Sequence, residues 1–372
     1  MIYLDYQATT PLAPEAREAM LPYLDEKFGN PHSTHRLGRE AKAAVELARE
    51  RIAAPLGGDG QLIFTSGATE ALNLAIKGSF ARAPKNRRRI VTVATEHAAV
   101  LDTAGWLAGQ GAEIVVLPVD REGMVNLDRM AEAIDDRTAL VAAMLVNNEI
   151  GVIHPVAEIA EMARSKGALF LCDAVQGYGR VPLPAGFCDM VAISAHKVHG
   201  PKGIGALWVR RGVALEPQMH GGGQEAGLRS GTLAPALCAG FGMAAKLMQD
   251  RRDEDEAHIE ALWRRALALV SRDWRINGDV LVRYRGNLNM RRDGMDSARL
   301  IADQRDIALS AGSACASGSG RPSHVLKAIG LSDAEARSSI RLGFGRYTSE
   351  EELERGLSLL LDTADRQRSF AA

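Results

Sequence analysis

Between residues 62 and 193 the chain alternates short apolar runs with amphipathic stretches, and that alternation confines it to one class of architecture. Strand-length runs fall at 62–65, 90–94, 114–117, 140–146 and 169–172, with another opening at 191. Helical spacing fills the intervals at 71–77, 100–108, 127–134 and 155–166, the last stopped by Gly167. Strand and helix in strict turn predict an open α/β sheet, mainly parallel, with helices on both faces. Ahead of it, Pro14 suits the first turn of a helix, 28–35 is loop chemistry and 39–53 has helical spacing. The run Arg87, Arg88, Arg89 reads as a solvated loop.

Ligands of such sheets bind beyond the carboxyl ends of the strands. Polar residues recur there: Ser66-Gly67-Ala68-Thr69-Glu70, Thr95-Glu96-His97, Asn147-Asn148-Glu149, Asp173-Ala174-Val175-Gln176 and Ser194-Ala195-His196-Lys197. Each alone reads equally well as a helix cap or a solvated turn. Together they predict one crevice.

Three of these groups have complementary chemistry. Ser66-Gly67-Ala68-Thr69, between a strand and a helix, offers backbone N–H groups where an anion is favoured, although a plain cap would look the same. It lacks both Gly-x-Gly-x-x-Gly and a Walker lysine, so a phosphate suits it better than a dinucleotide or nucleoside triphosphate. Asp173 ends the apolar run 168–172 and needs a positive partner or strong hydrogen bonds, and a protonated ring nitrogen would serve. Lys197 follows an apolar strand and precedes Gly200, Pro201, Gly203 and Gly205, which let a ligand approach its amine. An isolated lysine there is most simply a surface residue; beside the other two groups it predicts a Schiff base. A carbonyl partner, a partner for a pyridinium nitrogen and an anion site make the set required by pyridoxal 5′-phosphate. A metal held by Asp173, His196 and His199 is weaker, since no His-x-x-x-His or carboxylate cluster accompanies them.

Lys and Arg (45) balance Asp and Glu (46), which argues against nucleic acid or an acidic membrane as partner. No apolar run approaches membrane-spanning length and no signal-like segment follows Met1, so the expected location is cytoplasmic. Cys172, Cys188, Cys238 and Cys315 are scattered, which suggests neither disulfides nor a zinc site. Cys315 lies in 311–320, ten residues drawn only from Ala, Gly, Ser and Cys, a composition expected to be mobile. Beyond 249 the character changes. Dense charge on a helical pattern at 253–265 precedes strand candidates at 280–284 and 287–290 and helices at 297–303 and 350–365. Residues 14–249 are therefore expected to form a large domain, with 1–13 and 250–372 a smaller α+β domain carrying the cysteine loop, about 311–322.

Several strings resemble the cysteine desulfurase family: Leu-Asp-Tyr-Gln-Ala-Thr-Thr-Pro from Leu4, Thr-Ser-Gly-Ala-Thr-Glu from Thr65, Thr-Glu-His from Thr95 and Val-Asn-Asn-Glu-Ile-Gly from Val146. Ser-Ala-His-Lys from Ser194, Gly-Pro-Lys-Gly from Gly200, His-Gly-Gly-Gly-Gln-Glu from His220, Arg-Ser-Gly-Thr from Arg229 and Gly-Ser-Ala-Cys from Gly312 extend it. The resemblance runs from Tyr3 to the last helix. It implies a fold-type I pyridoxal phosphate enzyme, homodimeric, which takes sulfur from L-cysteine as a persulfide, releases L-alanine and supplies a sulfur acceptor such as an iron–sulfur scaffold.

By that resemblance Lys197 is the Schiff-base lysine, Asp173 partners the pyridinium nitrogen, Gln176 donates to the ring hydroxyl and His97 stacks on the ring as acid and base. Ala68, Thr69, Ser194 and His196 hold the phosphate, with Thr232 reaching in from the other subunit. Arg341 grips the substrate carboxylate with help from Asn148, and Cys315 receives the sulfur. Family members often carry a longer tail that meets a scaffold, whereas this chain stops at Ala372, which leaves the acceptor open. The same fold also admits a selenocysteine lyase or an aminotransferase, but neither requires a cysteine on a loop. His220-Gly221-Gly222-Gly223 resembles a lipase oxyanion loop, yet no Gly-x-Ser-x-Gly accompanies it.

Overall fold

A computed structural model describes residues 1–312 and 322–369. The expected cysteine loop, with Cys315, therefore lies almost wholly outside the described residues.

Seven strands form the main sheet, in the order Gly60–Thr65, Gly205–Arg210, Met190–Ser194, Leu169–Asp173, Thr138–Met144, Arg89–Val93, Glu113–Leu117. Only Gly205–Arg210 runs against the rest, pairing antiparallel with both neighbours. Every residue of Thr138–Met144 is buried, the pattern expected where helices cover both faces of a parallel sheet. Alternate residues serve opposite faces: Val141, Phe170, Cys172, Val191 and Ile193 join one core, and Leu140, Ala142, Leu171, Met190 and Ala192 the other. The helices match. Val156–Ser165 buries Val156, Ile159, Ala160 and Ala163 at helical spacing, and Gly167 at φ +66° ends the turn that follows.

A second core gathers Leu4, Trp263, Leu288, Met290, Ile340, Leu342, Leu353, Leu357 and Leu360. It joins an antiparallel sheet of Arg275–Ile276, Asn287–Arg291 and Ser339–Gly343 to the helices Arg252–Leu269 and Glu350–Ser369. The N-terminal segment crosses between the two sheets. Ile2–Tyr3 pairs with Ile307–Ala308, and Thr10 and Ala13 then donate backbone hydrogen bonds to the carbonyls of His196 and His199. That crossing lays residues 5–10 under Lys197.

Two expectations need correction. The segment 280–284 is not a strand: it makes a single bridge, Arg283 to Val152, and leaves Val280, Leu281 and Val282 exposed. One carboxylate oxygen of Asp279 instead accepts the N–H groups of Leu281 and Val282 at 2.6 and 2.9 Å, so these donors close a turn rather than a ladder. Nor is the arginine run wholly a solvated loop. Arg89 begins a strand, 9% exposed, with Glu113 and Asp135 at 2.6 and 2.8 Å; Arg87 and Arg88 stay in the loop before it, half-buried, Arg88 stacked 3.6 Å from the Phe80 centroid and Arg87 donating to the Thr138 carbonyl.

The loop after Met219 is pinned from inside. Glu225, at φ +51°, accepts from Phe64 N–H at 2.6 Å and from both terminal nitrogens of Arg49. A left-handed backbone costs a non-glycine residue on the order of 1 kcal/mol, which these charge-assisted bonds outweigh. The anchor fixes the path of the chain toward Arg229 and Thr232.

Candidate active site

The polar strand ends meet as expected. Ala68, Thr69, His97, Asn148, Asp173, Gln176, Ser194, His196, Lys197 and Arg341 all line one cavity of about 590 Å³. Gln7, Ala8, Thr9, Ser66, Gly67, Glu70 and Lys202 also line it.

Lys197 sits in a tight turn directly after Met190–Ser194. Its Nζ donates to the carbonyls of Gln7 and Ala8, the latter at 2.8 Å. Among the described residues no carboxylate forms an ion pair with it. Burial, then the positive charges of Arg180 and Arg341, lower its pKa from 10.5 to about 7, which leaves much of the amine unprotonated near neutrality.

Asp173 closes the strand Leu169–Asp173, 6% exposed. One of its oxygens accepts from Val175 N–H at 3.0 Å, and among the described residues no cation forms an ion pair with it. Burial accordingly pushes its pKa up, with His97 and Lys197 only partly opposing. A buried carboxyl in that state wants a positive group, which a protonated ring nitrogen in the cavity would be.

At another wall the helix Ala68–Arg82 begins without a side-chain cap on its first turn. Gly67 is extended there, and Gly205 packs so close that a Cβ on it would fall 2.8 Å from the Gly67 Cα. The first N–H groups of this 15-residue helix therefore face the cavity without intrahelical partners. Glu70 bends back, accepting from Ser66 N–H at 2.7 Å, and is held by Arg229 at 2.7 Å, which lowers its pKa despite burial. His196 places Nδ1 3.1 Å from the Thr9 hydroxyl, and burial followed by Lys197 lowers its pKa to about 4, so it meets its neighbours as a neutral ring. An amine, a carboxyl lacking a cation and a helix N-terminus thus fit the carbonyl, ring nitrogen and phosphate of pyridoxal phosphate.

The His97 ring accepts the Ala99 N–H on Nδ1 at 3.1 Å, which places the proton of the neutral ring on Nε2. Gln176 Nε2 donates to the Gln7 carbonyl at 2.8 Å. Arg341, 1% exposed, donates from Nη1 to the Asn148 carbonyl at 3.0 Å and from Nη2 to Asp5 at 2.7 Å. Asn148 thus holds Arg341 through its backbone.

Thr232 is exposed and does not line the cavity of its own chain. Cys172, Cys188 and Cys238 are buried and free, and burial raises the Cys238 pKa to about 12, as suits packing rather than reactivity. Among the described residues no group of His, Cys, Asp and Glu could hold a metal, and no helix is long and apolar enough to cross a membrane.

Residue-type reasoning did not single out Asp5, Glu96 or Arg180. Glu96 is wholly buried; one oxygen accepts from Met144 N–H at 2.7 Å and the other has no partner. Burial, then the neighbouring Asp173, pushes its pKa well above the ordinary carboxylate value. Asp5 and Glu96 do fall inside motifs that carry the family resemblance, which was the available signal. Arg180 lies outside them.

The Aminotransferase class-V family matches residues 2–355. Cysteine desulfurase IscS of Rickettsia rickettsii (strain Iowa) is 44% identical over 379 residues, spanning 100% of this chain and 92% of that protein. Among solved structures, a NifS-like protein superposes with a TM-score of 0.90 at 32% identity, covering 97% of this chain and 98% of its own. SspA in complex with cysteine superposes with a TM-score of 0.83 at 34% identity, covering 94% and 100%. The chain belongs to the class-V aminotransferases, a pyridoxal phosphate-dependent family, and within it to the cysteine desulfurases.

Proposed function

We propose that the cavity binds pyridoxal phosphate on Lys197 and takes sulfur from L-cysteine, leaving L-alanine. The observation that carries this reading is the Lys197 amine, its pKa lowered to about 7, in the same cavity as a buried Asp173 that forms no ion pair among the described residues. When bound, the cofactor supplies an electron-withdrawing ring that stabilises negative charge on the substrate carbons.

The protein's residues do the rest. Asp173 keeps the ring nitrogen protonated, Gln176 orients the ring hydroxyl, and the helix N-terminus at Gly67, Ala68 and Thr69, with Ser194 and His196, holds the phosphate. Arg341 takes the substrate carboxylate, as a planar guanidinium does well. His97 moves protons at Nε2. The Cys315 thiolate attacks the substrate sulfur: an S–S bond forms as the C–S bond breaks, its electron pair stays with carbon, and protonation of that carbon gives alanine.

Residues 14–249 then form the cofactor-binding domain, and 1–13 with 250–372 a smaller one. The enzyme acts as a homodimer, Thr232 of each chain completing the phosphate site of the other, and it passes its sulfur to an acceptor protein for iron–sulfur cluster assembly or other sulfur trafficking in the cytoplasm.

The test is to supply the holoenzyme and dithiothreitol with L-cysteine, L-selenocysteine, or L-alanine plus a 2-oxo acid. Alanine and sulfide in equal amounts from L-cysteine are expected. Turnover of selenocysteine alone would make it a lyase of that substrate, and transamination alone would make it an aminotransferase.

A further inference from the structure

Arg180 is a half-buried cation that forms no ion pair among the described residues. It leaves the turn after Leu169–Asp173, where Gly179 stands at φ +73° and a Cβ would fall 1.9 Å from Met248 Sδ, so the chain can turn here only with glycine before Arg180. Its Nη1 donates to Gln176 Oε1; its Nη2 donates to the Lys197 carbonyl at 2.6 Å and to the Tyr6 carbonyl at 3.4 Å. The guanidinium carbon also lies 5.2 Å from the Tyr284 centroid. Carbonyl oxygens and a ring face hold a cation without neutralising it. Among the described residues no carboxylate comes within ion-pair distance of Arg180.

Two consequences follow for the site. A guanidinium has only donors, so the Gln176 atom it meets must be the amide oxygen. The amide nitrogen is thereby turned the other way, where it meets the Gln7 carbonyl and keeps a second N–H. Meanwhile the charge sits behind the backbone of the residue whose amine must bond the cofactor.

We propose that Arg180 is a positioning residue of this site, fixing which end of the Gln176 amide faces the cavity and keeping a permanent positive charge behind Lys197. This rests on the reading of Lys197 as the lysine that bonds pyridoxal phosphate. The cavity around that amine also holds His97, Glu70 and Lys202. Arg180 and Arg341 disfavour its protonation; Asp5 from the N-terminal segment and Asp173 from the strand favour it. His196, on the same turn, is neutral near pH 7. Arg341 has Asp5 as a carboxylate partner, whereas Arg180 has none in ion-pair contact among the described residues, the carboxylates Asp255, Glu256 and Glu260 lining the second cavity that it borders.

The experiment titrates the visible absorbance of the holoenzyme against pH, without substrate, in native protein, Arg180→Met and Arg180→Lys. Circular dichroism and cofactor content confirm folding and loading. Removing the cation from Arg180→Met should raise the midpoint of the absorbance change by about one pH unit, a tenfold gain in proton affinity. Arg180→Lys keeps the charge but not the fork. It should titrate near the native midpoint while binding pyridoxal phosphate about tenfold more weakly, as Gln176 loses its charged partner. A folded, loaded Arg180→Met with the native midpoint would overturn the proposal. If that variant does not fold, Arg180→Lys decides: native cofactor affinity overturns the proposal, and weakened affinity at an unchanged midpoint upholds it. A native protein that forms no yellow complex with pyridoxal phosphate would sink the functional reading itself, which is a separate outcome.

Discussion

Arg341 Nη2 lies 2.7 Å from the Asp5 carboxylate, whose other oxygen accepts the Ser310 hydroxyl at 2.9 Å. The pair joins Ser339–Gly343 to the N-terminal segment just before that segment passes under Lys197. It occupies part of the guanidinium that is to grip the substrate carboxylate.

Breaking this buried pair from the Asp5 side leaves Arg341 charged and uncompensated. Asp5→Asn should destabilise the substrate-free protein by about 3 kcal/mol, and a bound amino acid carboxylate should restore part of the loss. Thermal melts with and without L-alanine check this. The ligand should raise Tm more in the variant than in the native protein; an equal rise would contradict the placement of Arg341 at the substrate.

Lys197→Ala should bind pyridoxal phosphate without forming the yellow linkage and should release no alanine from cysteine. In the cofactor-free native protein the amine has a pKa of about 7, so the rate of cofactor uptake should fall as pH drops through 7. Stopped-flow absorbance measures it. A pH-independent rate between 6 and 8 would show that Lys197 does not carry the reaction.

Asp173→Asn should keep the fold and lower turnover roughly a hundredfold, about 3 kcal/mol, because the ring nitrogen loses the group that keeps it protonated. Alanine release by a variant with native circular dichroism is the readout. Near-native turnover would remove Asp173 from the site.

Much of the fold and site was legible because both obey local rules. Continuous apolar runs marked the buried strands, and polar residues just beyond them marked the crevice, as at Thr138–Met144 and Asn148. Where side chains redirect the backbone, composition misled: 280–284, Val-Leu-Val-Arg-Tyr, is apolar and β-branched like a strand, but Asp279 takes its donors. The strand Gly205–Arg210 and the helix Pro235–Asp250 fall outside the elements read from periodicity, the strand because its opening glycine looks like a turn. Arg180, and the buried role of Glu96, were illegible for another reason. Their roles depend on partners far away in sequence, Lys197 for one and Met144 for the other, and no local pattern records such pairings.

His154 gives a prediction about pH and stability. It is 2% exposed, neither ring nitrogen has a hydrogen-bond partner, and burial lowers its pKa from 6.5 to about 4. Between those values the unfolded chain binds a proton that the folded one refuses, so stability falls as pH drops from 6.5 toward 4. His196 and His199, also lowered to about 4, add to the slope. His154→Leu should make the urea midpoint less dependent on pH over 6.5 to 5. An unchanged dependence would mean that His154 is solvated in the folded protein.

The most direct test of the central claim is the position of the sulfur after one turnover. Holoenzyme mixed with one equivalent of L-cysteine, quenched and digested, should show one added sulfur atom on the peptide containing Cys315, with an equal amount of alanine in solution. Cys315→Ser should still change its visible spectrum with cysteine but add no sulfur. Sulfur on Cys172, Cys188 or Cys238, or native-rate sulfur release by Cys315→Ser, would contradict the account.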